Sequence, residues 1–352
     1  VSCKGCKREC PTGVDMAKMK IEFLYQYYQK HRLPIKDRLI AYLPRYAYRA
    51  RNFSFLLNLR DQIPGLAKLS ELMLGFSSRR RLPRWRQDQF QGEKEIPAQA
   101  AAESNGKEVV LLVDTFNSCF EPENARAALA VLNAAGYKVQ YPKPLDQNRP
   151  LCCGRTFLSG GLVDEARAEA RRMLESLKTY VDRGVPIIGL EPSCLLTLRD
   201  EFPSLIPGSE TAALASNAFL LEEFLAAEKD KGQLQLKLKP LPVSQALLHG
   251  HCHQKAFAAM SSVQQVLALI PDLKVETIES SCCGMAGAFG YDAKHYDMSM
   301  KMGEQSLLPA VRAADKGSII IADGTSCRQQ IQDGAGREAL HVARVLEMAL
   351  AD

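Results

Sequence analysis

Eight of the eleven cysteines in this 352-residue chain fall into two matching sets. Cys119, Cys152, Cys153 and Cys194 form the first, and Cys252, Cys282, Cys283 and Cys327 the second. Each set reads Cys, Cys-Cys-Gly, Cys, and the sets are displaced by 133, 130, 130 and 133 residues. Four convergent thiolates suit a soft metal or an iron–sulfur cluster. A structural zinc also takes four such ligands, but adjacent cysteines fit a single tetrahedral ion poorly, so zinc is the alternative. Cys3, Cys6, Cys10 and Pro11 have the spacing of the later part of the ferredoxin run C-x₂-C-x₂-C-x₃-C-P, whose fourth cysteine serves the other cluster in two-cluster ferredoxins. The first cysteine of that run would precede Val1, so the chain is expected to be a fragment of a longer protein. His249, His251 and His253 flank Cys252; a helix-start or outer-sphere role suits them better than ligation, with His251 and His253 the candidates beside a cluster. No Walker A sequence, dinucleotide-binding glycine pattern or Ser/His/Asp triad accompanies these residues, and no catalytic residue is identified.

Positioning these thiols requires strand ends. From Glu108 the texture alternates: a buried-strand run over 109–113, an amphipathic helix over 124–135, a short strand over 139–141, a long helix over 162–183 and a strand over 186–190 leading to Cys194. The second half repeats the order, with strands over 245–249, 273–278 and 318–322 and helices over 261–270 and 296–314. Such alternation predicts parallel sheets with crossover helices, whose carboxyl-terminal strand ends gather loop residues into a site. The predicted fold is α/β: two duplicated Rossmann-like parallel-sheet lobes, 108–235 and 243–352, preceded by a mostly helical ferredoxin-type segment over 1–86 and a polar linker over 87–107. The glycine after each cysteine pair lets the backbone turn and present N–H groups to sulfur. Asp15 to Gln29 reads as a helix with an apolar stripe of Met16, Met19, Phe23 and Tyr27.

Apolar residues make up 46% and charged residues 24%, ordinary for a globular chain. With no bilayer-length apolar run and no signal peptide, the expectation is a cytoplasmic protein whose thiols serve metal or redox chemistry and not a disulfide framework. Residues 1–100 carry a net +11 and the remainder −6. The basic part, including Arg79 to Arg81, Arg84 and Arg86 around Trp85, is a candidate for peripheral contact with an anionic membrane face or a partner, and nucleic acid is not expected.

Residues Cys10-Pro-Thr-Gly-Val-Asp-Met-Ala-Lys18 and Glu279-Ser-Ser-Cys-Cys-Gly-Met-Ala-Gly-Ala-Phe-Gly290, with the paired cysteine sets, resemble the cysteine-rich CCG domain family. That family includes the cysteine-rich subunit of heterodisulfide reductase and the glycolate oxidase iron–sulfur subunit. The combination with Cys3, Cys6 and Cys10 resembles the iron–sulfur part of fused FAD-binding oxidoreductases. The resemblance implies iron–sulfur clusters, of the [4Fe-4S] type, on Cys3, Cys6, Cys10 and both cysteine sets, with FAD on a flavin domain upstream in the same polypeptide. It implies electron transfer from a D-2-hydroxyacid (D-lactate, D-2-hydroxyglutarate or glycolate) dehydrogenase to a quinone or protein acceptor. Heterodisulfide-type disulfide reduction is the other function in the family. That branch ends each half in C-x-x-C, whereas Glu191 and Gly324 stand at the earlier position here.

Overall fold

The computed structural model describes residues 3–96 and 106–351. The expected linker lies outside the described residues over 97–105. Its described part, 87–96, packs on the first lobe, with Phe90 in the core and Arg126 binding Asp88 and Glu95.

Two four-stranded, wholly parallel sheets follow. The first contains β1 (Glu108–Leu112), β2 (Lys138–Gln140), β3 (Ile187–Gly189) and β4 (Ala218–Leu220) in the order β2-β1-β3-β4. The second contains β5 (Gln245–Leu248), β6 (Lys274–Thr277), β7 (Ile319–Ile321) and β8 (Ala339–Leu340) in the order β6-β5-β7-β8. Val110 pairs with Ile187 in the first and Ala246 with Ile319 in the second, so the central registers also correspond. A central parallel strand is covered on both faces, which is why β1 is a near-continuous apolar run. The duplicated α/β lobes expected from the sequence are therefore present, each with a fourth strand that the sequence pattern did not reveal.

The lobes join reciprocally. The helix Pro122–Ala134, after β1, packs on the helix Val342–Met348, after β8. The helix Met260–Leu267, after β5, packs on the helix Leu221–Asp230, after β4. One apolar core thus runs through both lobes, including Leu111, Leu132, Ile188, Leu248, Val266 and Leu346.

The N-terminal segment supplies helices over Met16–Lys30, Ile35–Ala41, Leu43–Ala50, Ser54–Gln62 and Leu66–Leu74. Asp15 caps the first by accepting from the N–H groups of Ala17 and Lys18. Its expected apolar stripe faces outward: Met16, Met19, Phe23 and Tyr27 are all exposed. Its other side meets the first lobe, with Ile21 against Phe157 and Leu158, Leu24 against Gly161, Lys18 bound to Asp200 and Tyr25 to Asp164. Arg80, in the basic run, is buried and bound to Asp333 of the second lobe. Arg86 binds Asp88 and Glu123. Part of that run is therefore used internally.

Candidate iron–sulfur centre

In the second lobe three loops meet at one end of the sheet. Cys252 opens the helix Cys252–Ala256 after β5, Cys282 and Cys283 lie in the loop after β6, and Cys327 is the third residue of the helix Thr325–Ala335 after β7. Cys282 neighbours Cys283, and Cys283 packs with Cys327. Ligand atoms of His249, Cys283 and Cys327 lie within 4.8 Å of one another, as do those of His251, Cys252 and His253.

Local sequence explains the geometry. His251 Nδ1 accepts from the N–H of His253 at 3.2 Å, while Gln254 Oε1 accepts from the N–H of His251 at 3.0 Å, a reciprocal cap that fixes the start of the Cys252 helix. Gly284 has φ +93° and its N–H reaches Cys282 Sγ at 3.4 Å. A Cβ at Gly284 would lie 2.1 Å from the carbonyl oxygen of Ser299, so only glycine fits there. At Gly324 a Cβ would lie 2.3 Å from His251 Cδ2. The imidazole occupies the space a side chain at 324 would need, which accounts for the missing fifth cysteine.

The N-terminal run reaches this centre. Cys3 comes beside Cys282, and the backbone of Lys4 beside the Cys252 thiol. The Lys4 ammonium, fully buried, is held by Asp15 at 2.7 Å and by Asp200 and Glu201 at 2.8 Å each. Cys6 is exposed. Cys10 is held below its ordinary value by the Thr12 hydroxyl at 3.1 Å and by backbone N–H groups of Val14, Thr12 and Gly13, a nest suited to a thiolate. Lys4, which the cysteine pattern gave no reason to single out, is what seats Cys3.

Burial pushes the Cys252 thiol up to about 11, and the neighbouring thiols together with burial raise Cys282 and Cys283 too. Thiols in this state release protons when a metal takes their place. The basic groups facing them are Arg155, from the first lobe's Cys-Cys-Gly-Arg turn, and Lys255. The Nε2 atoms of His249 and His253 are buried without a hydrogen-bond partner. Clustered soft thiols, cationic neighbours and orphaned imidazoles fit an iron–sulfur centre, which supplies one-electron transfer when bound.

The first lobe is different. Cys152 and Cys194 both neighbour Cys153, and Gly154 N–H meets Cys152 Sγ at 3.3 Å. Cys153 and Cys194 belong to one apolar cluster and Cys119 to another. β1 ends at Leu112 and β5 at Leu248, 136 residues apart, whereas Cys119 and Cys252 are 133 apart. This three-residue difference, with a first-lobe helix that starts one residue nearer its strand, places Cys119 last in the helix Thr115–Cys119, where Cys252 is first in its own. Cys119 packs with Ala47 and Phe120, and burial pushes it up to about 12. Asp114 and Glu191 face Cys194. Burial, and then the charge of Asp114, raise Glu191 to about 7.

A cavity of about 680 Å³ opens from the second-lobe thiols toward the N-terminal helices. Cys3, Cys252, Cys282, Cys283 and Cys327 line one end, and Leu43, Leu56, Leu69, Met73 and Trp85 are among the apolar residues that line the rest.

Residues 113–199 and 246–332 each match the cysteine-rich domain family CCG. The chain is 27% identical to one subunit of the anaerobic glycerol-3-phosphate dehydrogenase of Escherichia coli, over 85% of this chain and 73% of that protein. It is 27% identical to D-2-hydroxyglutarate dehydrogenase of Pseudomonas putida over 98% of this chain and 33% of that protein, so it spans about a third of such a relative. It is 23% identical to lactate utilization protein A of Bacillus subtilis, over 68% of this chain and 98% of that protein. With both Cys-Cys-Gly loops on equivalent sheets, residues 113–199 and 246–332 are two copies of the cysteine-rich CCG domain, in a chain similar to dehydrogenases and their subunits.

Proposed function

We propose that this chain is the iron–sulfur electron-transfer portion of an FAD-linked D-2-hydroxyacid dehydrogenase, carrying electrons from a flavin domain toward a quinone. The observation that carries the reading is the meeting of Cys3, from the ferredoxin-type run, with Cys252 and Cys282 at the closed end of an apolar cavity. Cys3, Cys6 and Cys10 receive electrons on the flavin side. Cys252, Cys282, Cys283 and Cys327 hold the centre beside the cavity. Arg155 and Lys255 offset the negative charge of the thiolates, which favours the reduced state.

The acceptor is argued from the cavity, whose leucine-rich wall suits an isoprenoid quinone better than a polar carrier. Its outer helices support membrane contact. Among the described residues, apart from Leu145, Met298 and Met348, the exposed large apolar side chains lie within residues 14–73. Among the described residues no helix is long and apolar enough to cross a membrane, so the contact proposed is peripheral, with apolar side chains entering the interface and basic ones meeting anionic head groups. D-2-hydroxyacid oxidation is favoured as the upstream reaction because the D-2-hydroxyglutarate dehydrogenase relatives align with 98% of this chain. The test is anaerobic purification of the protein with its flavin partner, followed by reduction with D-2-hydroxyglutarate, D-lactate or glycolate under EPR. An iron–sulfur signal that appears with a 2-hydroxyacid and fades with a water-soluble quinone is expected. Zinc in place of iron, or a signal indifferent to every such acid, refutes the reading.

A further inference from the structure

We propose that the duplicated lobes hold one cluster between them, at the second lobe, and that the first lobe's thiols form a closed core bracing it. This rests on the reading above that the thiols bind iron. In the first lobe, the helix position matching Cys252 is Thr115, because both open the helix that follows the first strand of their sheet. Cys119 lies four residues farther on, about 6 Å along a helix at ~1.5 Å per residue. The second-lobe thiols open onto the cavity of about 680 Å³, whose wall also includes Arg155 and Glu191 of the first lobe and the N-terminal helices, whereas the space beside Cys153 and Cys194 is about 20 Å³. A void of that size holds about one water molecule.

The electrostatics differ in the same sense. Arg155 faces Cys252, and Lys255 faces Cys252, Cys282 and Cys327, so that the carboxylate of Glu191, which also faces Cys327, is countered there; Cys194 faces both Asp114 and Glu191. An anionic thiolate cluster is favoured beside cations and disfavoured beside carboxylates. Among the described residues, the unpartnered buried imidazole nitrogens are those of His249 and His253, in the second lobe.

The first lobe's acidic residues have an evident structural use. Glu191, at the position of a lost cysteine, accepts from the N–H of Thr325 at 2.9 Å. It thereby caps the helix that carries Cys327, whose own Gly324 has no side chain to do so. Glu121 binds Arg328 of the same helix at 2.6 and 2.8 Å. The first lobe thus orients a ligand-bearing helix of the second.

Iron and sulfide per chain, with Mössbauer areas, would be measured on the full protein after anaerobic reconstitution. Cys119→Ser, Cys194→Ser, Cys252→Ser and Cys327→Ser are compared with wild type. Cys252→Ser and Cys327→Ser should each lose one cluster's iron, and Cys119→Ser and Cys194→Ser none. Loss of one cluster's iron from Cys119→Ser overturns the inference, as does the same loss from Cys194→Ser with native circular dichroism. If Cys194→Ser does not fold, the Cys119→Ser count decides. Wild-type protein without iron refutes the relay reading itself, a result distinct from iron lost equally from both lobes.

Discussion

Replacing Lys4 by methionine tests how Cys3 is delivered to the second lobe. The Lys4 ammonium is fully buried among Asp15, Asp200 and Glu201. Removing one partner of a buried ion pair typically costs about 3–5 kcal/mol, much of it the uncompensated charge left behind. Here the carboxylates keep other partners: Asp200 retains Lys7 and Lys18, Glu201 retains Arg155, and Asp15 retains two backbone N–H donors. The expected cost is therefore at the lower end, about 3 kcal/mol. It falls on the docking of the N-terminal segment, because the core shared by the lobes does not include Lys4. At ~1.4 kcal/mol per tenfold, local opening of Gly5–Glu9 and Met16–Lys30 should become roughly a hundredfold more frequent. Hydrogen–deuterium exchange resolves this: faster exchange in those two helices with unchanged β1, β3, β5 and β7 is the expected pattern. Unchanged exchange in the two helices refutes the argument, and so does an equal loss of protection throughout the chain.

The same cluster responds to acid. Burial pushes Asp15 and Asp200 up, but their hydrogen bonds to Lys4 and its charge outweigh it and hold both below the ordinary carboxylate value. Their contribution is then complete above about pH 4 and lost as pH falls below it, so exchange protection in the N-terminal helices should drop there before the lobes unfold. Glu191 has the opposite sign: raised from 4.5 to about 7 by burial and Asp114, it costs stability as pH climbs from 4.5 to about 7. Glu191→Gln should remove most of that slope in denaturant midpoints measured between pH 4 and 8. Gly324→Cys should not restore a fifth ligand. Its Cβ would displace the His251 ring at a cost of about 1–3 kcal/mol, visible as a lower thermal midpoint with no gain in iron. Leu72→Glu with Met73→Glu, at two highly exposed positions, should weaken sedimentation with anionic phosphatidylglycerol vesicles by roughly tenfold or more, since each buried apolar side chain contributes about 1.5–3 kcal/mol.

Much of this architecture was legible because parallel strands covered on both faces leave a strong signal. The Val-Val-Leu-Leu run of β1 and the Ile-Ile-Ile of β7 announce themselves, and the helix predicted over 162–183 is found over Val163–Asp182. The helix predicted over 296–314 breaks at Gln305–Ser306 into two, Tyr296–Glu304 and Leu307–Ala313, because Pro309 has no N–H for the Gln305 carbonyl and its ring clashes there. β4 and β8 are three and two residues long, the first directly after a helix and the second three residues after one, too short for periodicity to find. Cys119 shows how a sequence offset differs from a structural one. It keeps the repeat distance of the other cysteines while its strand end is shifted by three residues and its helix starts one residue sooner, which carries it from the front of a helix to the back. The apolar stripe of Met16, Met19, Phe23 and Tyr27 has helical spacing, but spacing cannot say whether protein or another apolar phase will cover it. Lys4 was hidden for another reason: its partners at Asp200 and Glu201 are almost two hundred residues away.

The reciprocal packing of helices across the lobes bears on how such a pair could diverge. Each lobe supplies part of the wall that shields the other's strands, so removing either half would expose a broad apolar face of the survivor. A redundant ligand set can therefore decay while the lobe that carried it is retained, because selection on folding persists after selection on metal binding has lapsed. Duplication here yields a permanent scaffold and, beside it, a half free to change its chemistry.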